Sequence, residues 1–115
     1  MYRFPLLLLL GVLVFTAVGH AAPFVFTRDG RPTATIIVPD DPLPVATAAA
    51  QELQYHVRKA TGALLPMVRE AQAPAGPGLV YVGPCRATAA LGLKRETLQP
   101  NACRLRVSGG NFFLV

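Results

Sequence analysis

The chain predicts an α+β domain: a small mixed β-sheet of about four or five strands, with one long helix over about residues 43–60 packed on a face. Three observations carry this. Short β-rich runs recur at Phe24–Thr27, Thr33–Val38 and Leu79–Val82. One long stretch between the second and third repeats its apolar residues at helical spacing. Setting aside a leader of 21 residues leaves about 94 of the 115, enough for one small core. A complete (β/α)8 barrel needs about 250 residues and is excluded. No self-similar period of about 20–50 residues marks a repeat array.

The leader comes first. Tyr2 and Arg3 give a short positive start, and Phe4–Val18 is then almost wholly apolar, with leucine at every position from Leu6 to Leu10. Gly19, His20 and Ala21 end the run with small residues at the outer positions. This is the plan of a secretory signal peptide, cleaved near Ala21. The apolar run falls short of the roughly 20 residues a spanning helix needs. The membrane is therefore expected to be met only through the leader during export, and the product to be periplasmic or extracellular. Residues 1–21 are read as signal peptide and 22–115 as the domain.

Phe24–Thr27 and Thr33–Val38 flank Asp29-Gly30, a strong turn dipeptide, and read as a hairpin. Pro39 ends the second run, and Asp40-Asp41-Pro42-Leu43-Pro44 delivers the chain to the helix. Asp41 can cap it, and proline fits a first turn where no N–H is needed. Val45, Ala49, Leu53 and Val57 form the helical spine, flanked by Ala46, Ala50, His56 and Ala60. The alanines predict a helix lying close on a sheet. Arg58 and Lys59 complement the dipole in the last turn, and Gly62 supplies the left-handed stop.

Leu64–Val68 reads as a short extended segment and Glu70–Gly78 as a surface loop. Leu79–Val82, bounded by glycines, reads as a buried strand parallel to the one before the helix. Ala87–Leu93 predicts one or two helical turns. Cys103–Val107 alternates, so Leu105 and Val107 should face away from Arg104 and Arg106. Ser108–Asn111 is a turn and Phe112–Val115 a last strand.

The whole chain carries a formal charge of +5. Arg3 lies in the leader, so ten basic residues face six acidic ones in the rest, a net +4. The basic residues are scattered, without the clustering of a nucleic-acid footprint, and no nucleic-acid partner is expected. Both cysteines, Cys85 and Cys103, fall after the leader. An even count in an exported chain allows a disulfide between them, which would stabilise by about 3 kcal/mol through loop closure. Two free thiols is the other reading.

No catalytic residue, cofactor site or metal site emerges. The one serine, Ser108, lacks a G-x-S-x-G elbow and reads as a turn residue. The one histidine after the leader, His56, reads as a partly buried helix residue, with Glu52 one turn earlier as its partner. The cysteine and histidine spacings fit no common zinc pattern. Gly76-Pro77-Gly78 lacks the Walker lysine and a following helix. The carboxylates Asp29, Asp40, Asp41, Glu52, Glu70 and Glu96 show no pair that reads as glycosidase acid and base.

Several segments together resemble a known accessory domain. They are Val38-Pro39-Asp40-Asp41, Ala49-Ala50-Gln51-Glu52-Leu53-Gln54-Tyr55, Lys59-Ala60-Thr61-Gly62-Ala63 with Leu65-Pro66, and Leu79-Val80-Tyr81-Val82-Gly83. The tail, Leu91-Gly92-Leu93 and Cys103–Val107 with Gly109-Gly110-Asn111, fits as well. The set resembles the N-terminal α/β domain of bacterial α-glucuronidases (glycoside hydrolase family 67) and similar domains before family 20 β-hexosaminidase barrels. The resemblance implies a non-catalytic accessory domain of an exported glycoside hydrolase. Its partner would be a catalytic barrel absent from this chain, with polysaccharide as a second partner. It further implies a domain truncated at its C-terminal end. The alternative is a free-standing exported glycan-binding or protein-interaction module, with Tyr55 and Tyr81 among its candidate platforms.

Overall fold

Two neighbouring isoleucines set the architecture. Ile36 and Ile37 point to opposite sides of one strand, and both are fully buried. A strand buried on both faces belongs at the centre of a covered sheet. The computed structural model describes residues 22–115 and has that arrangement; the leader expected over residues 1–21 lies outside the described residues. Among the described residues, seven strands and two α-helices follow one another: β1 (Thr27–Arg28), β2 (Arg31–Pro32), β3 (Thr35–Val38), α1 (Pro44–Thr61), β4 (Met67–Arg69), β5 (Leu79–Val82), α2 (Arg86–Ala90), β6 (Leu105–Ser108) and β7 (Asn111–Leu114). The main sheet is mixed, in the order β4-β3-β5-β7-β6. All its pairs are parallel except β6 with β7, so the α+β expectation stands with five strands.

The expected hairpin is half right. Asp29 and Gly30 both take positive φ and make the tight turn, but its second arm is Arg31–Pro32. Thr33 still donates to Phe26, at 3.0 Å, and the chain then leaves for the main sheet. An edge pair could not bury Ile36 and Ile37 on both sides; the centre of a parallel sheet can.

Helix α1 lies on one face of the sheet. Ala46 and Ala50 are buried against it, and Leu53 and Val57 are half-buried. Val45 belongs to the predicted spine but is 69% exposed. The buried stripe is rotated because Gly83, just past β5, receives Ala46: a Cβ built on Gly83 would stand 2.8 Å from that of Ala46. Asp41 does not cap the helix. Leu43 is the N-cap residue, without a side-chain hydrogen bond, and Pro44 removes one N–H that would need a partner. Gly62 ends the helix left-handed, its N–H donating to the Arg58 carbonyl.

The second face is closed by α2 and its flanks. Ile37, Leu79, Tyr81 and Phe113 pack there with Cys85 and Leu93. The Tyr81 and Phe113 rings stack with centroids 5.0 Å apart. Phe24 and Phe26 close the other face against Phe112.

Candidate functional site

The site grows from the direction of the strands. The connection leaving β3 runs through α1 to β4 on one side, and that leaving β5 runs through α2 to the edge strand β6 on the other, from which the chain returns as β7 beside β5. In open α/β sheets, such a switch point leaves a crevice beyond the carboxyl ends of the two diverging strands. Here Asp40 follows β3, Glu70 follows β4, and Arg86 follows the Gly83–Cys85 turn after β5. Three residues far apart in sequence therefore converge at one edge.

They are bonded to one another and to the backbone. Arg86 Nη1 and Asp40 Oδ2 form an ion pair of 2.7 Å. Arg86 Nε lies 3.4 Å from Glu70 Oε1. Asp40 Oδ1 also accepts from the Ala71 N–H at 2.8 Å, and Arg69 Nη1 donates to the Asp40 carbonyl at 3.1 Å. The largely buried Glu70 carboxylate accepts from the N–H groups of Arg86 and Ala87, at 2.8 and 3.0 Å. It thereby satisfies the orphan donors at the start of α2.

The electrostatics follow from those bonds. The Ala71 N–H and then the Arg86 guanidinium hold the Asp40 carboxyl below its ordinary range. Burial, then the charges of Glu70 and Asp40, push the Cys85 thiol up to about 12. Burial, then Glu70 and Cys85, raise the Tyr81 phenol. Asp40 is thus a stabilised carboxylate, the reverse of a general acid, and Cys85 is a neutral thiol rather than a nucleophile. The network ties the start of α2 to the segments that follow β3 and β4.

Beside it, on the α1 side, lies an open groove of about 430 Å³. Its wall on one side is the start of α1, with Leu43, Val45 and Ala49. Its floor is the end of β5 and β7, with Val82, Gly83 and Leu114, and the 95–103 segment forms the far wall. The groove is mainly apolar, and Arg95 is its one charged lining residue. A further depression of about 500 Å³ beside Phe24, Val25, Val57 and Ala60 gathers no set of converging charged groups.

The residues singled out from the sequence are dispersed. Ser108 ends β6, opposite Asn111. His56 is not partly buried as expected: its side chain is 67% exposed on α1, 3.3 Å from Glu52. The stripe rotation that seats Ala46 and Ala50 turns it outward. Cys85 and Cys103 are both free thiols, the first buried and the second exposed. Among the described residues no three His, Cys, Asp or Glu side chains gather as metal ligands, and no helix is long and apolar enough to cross a membrane. Sequence reasoning missed the Glu70–Arg86 link. The signal available was positional, since each charge stands shortly after a parallel strand. No family model, curated protein or solved structure matches this chain.

Proposed function

We propose that this chain is a non-catalytic accessory domain of an exported glycoside hydrolase, α-glucuronidase-like, that supports a catalytic barrel lying outside these residues. The observation that carries the reading is the contrast at the carboxyl edge of the sheet. The charged groups there are spent on one another, while the adjoining groove leaves Leu43 and Val45 exposed. Paired charges offer a sugar ring no free acid and base, and an exposed apolar groove is the surface that a second domain covers. The resemblance of its packing motifs to the N-terminal domain of family 67 enzymes supports that kind of parent.

Two measurements test this. The reading frame beyond the Val115 codon is expected to run on into alternating strand and helix segments with paired carboxylates; a stop codon at that point overturns the supporting role. Purified chain incubated with aryl glycosides and glucuronoxylan is expected to release no sugar, and release above the buffer blank overturns the non-catalytic role. A free-standing glycan-binding module is the weaker reading. Of its platforms, Tyr81 is buried against Phe113, and Tyr55 is left exposed on α1. Calorimetry with xylan oligosaccharides addresses it directly.

A further inference from the structure

The main sheet ends at β6, and among the described residues no strand lies beyond it. Arg104 exchanges both backbone hydrogen bonds with Val115, at 2.7 and 3.0 Å. That sets the phase of the antiparallel ladder. Arg104, Arg106 and Ser108 bond to β7, so Leu105 and Val107 turn their N–H and C=O groups to the open side. The outward backbone groups therefore belong to the two residues whose apolar side chains are also exposed, Leu105 at 60% and Val107 at 42%. Both lie on the α1 side of the sheet, opposite Leu114 and Phe112. Arg104 and Arg106 are exposed and point to the other side. The surrounding stretch is basic: between residues 94 and 108, Lys94, Arg95, Arg104 and Arg106 face Glu96 alone.

We propose that the β6 edge is a docking site for an extended polypeptide segment that alternates acidic and apolar residues. Such a strand takes the free hydrogen bonds of Leu105 and Val107 and lengthens the sheet. Its apolar side chains stand beside Leu105 and Val107, and its acidic ones beside Arg104 and Arg106. Opposite charges on neighbouring strands attract, and like charges repel. A second copy of this chain does not meet that demand. Its β6 carries arginine and no acidic residue, and the antiparallel register centred on Arg106 sets arginine against arginine. The surface adjoins the groove at α1, whose floor includes Leu114 opposite Leu105, but neither Leu105 nor Val107 lines that groove, and docking here needs no barrel.

The test is residue-resolved amide exchange by NMR on the full 115-residue chain. The probes are a capped heptapeptide alternating glutamate and valine, and its lysine–valine counterpart. The acidic peptide is expected to slow exchange at Leu105 and Val107 and to bind at least about tenfold more tightly than the basic one. Added salt should weaken it. Arg104→Glu combined with Arg106→Glu should reverse the preference. Val107→Pro removes an outward N–H without touching the β7 ladder, and should abolish binding. Absence of protection at these two amides, equal binding of both peptides, or binding that survives Val107→Pro would overturn the proposal. Should the proline variant fail to fold, the exchange pattern of the unmodified chain and the charge reversal still decide.

Discussion

Cys85 and Cys103 have the same chemistry on paper and opposite surroundings in the fold. Cys85 is 4% exposed, and burial with two nearby carboxylates pushes its thiol up to about 12, so at pH 8 it holds almost no thiolate. Cys103 is exposed. Native chain treated with iodoacetamide at pH 8 is therefore expected to take one adduct at Cys103, and a second only after denaturation. Two adducts in the native state, counted by mass spectrometry, would contradict the burial of Cys85. Asp40 gives a pH prediction. Its folded carboxyl lies below the ordinary 3.8 because the Ala71 N–H and Arg86 favour the ionised form. A depressed folded value contributes stability that is present above the unfolded value and lost as pH falls through the folded one. Asp40→Asn should therefore flatten the loss of stability below about pH 4, while still unfolding by the same route. An unchanged acid profile by circular dichroism would remove Asp40 from the acid response. None of this was legible from composition. The bonds that set Asp40 reach it from 31 and 46 positions away, and Cys85 is shifted by burial and by carboxylates that follow other strands.

Local pattern and final placement agree where one segment determines its own burial. Helix α1 was legible to within a residue at each end, because proline, apolar spacing and Gly62 all lie inside the segment. Strand β5 was legible for the same reason, as an apolar run between glycines whose four residues are all buried. The partner of β3 was not. Thr33–Val38 looks like one strand, but its first residue serves the hairpin and its last four the main sheet. Only the burial of both faces, a tertiary fact, separates them. The rotation of α1 is likewise set by a neighbour, the close approach of Ala46 to Gly83. That contact makes a comparison between two glycines informative. Gly62→Ala adds a methyl to open space and suffers only the left-handed backbone, at a cost of about 1–2 kcal/mol. Gly83→Ala has φ +90 as well and drives its methyl to 2.8 Å from Ala46, adding an overpacking cost of about 1–3 kcal/mol. Urea unfolding should therefore rank Gly83→Ala well below Gly62→Ala. Equal midpoints would mean that α1 can lift off the sheet freely.

Across the whole molecule, polar and apolar resources are divided unevenly. The face under α2 is closed, its one buried polar side chain, Thr88, bonded at 2.8 Å to both backbone groups of Cys85. The α1 face is closed over β3 and β5 but leaves Val45 and Leu43 at the groove and Leu105 and Val107 at the edge. Apolar residues that contribute to the fold are costly to replace, whereas those held out for another surface are not, and Val45 separates the two cases. It stands in the first turn of α1, which carries no acidic residue. Replacing an exposed valine costs little, within about 0.5 kcal/mol. A carboxylate at that end of the helix meets the positive end of the dipole and contributes about 0.3–1 kcal/mol in return. Val45→Glu is therefore expected to leave the melting temperature unchanged or slightly raised, and to increase the concentration of chain that stays in solution. A fall of more than about 4 °C in the thermal midpoint would show that Val45 is part of the core. A maintained midpoint with higher solubility would place it among the residues that await a second surface.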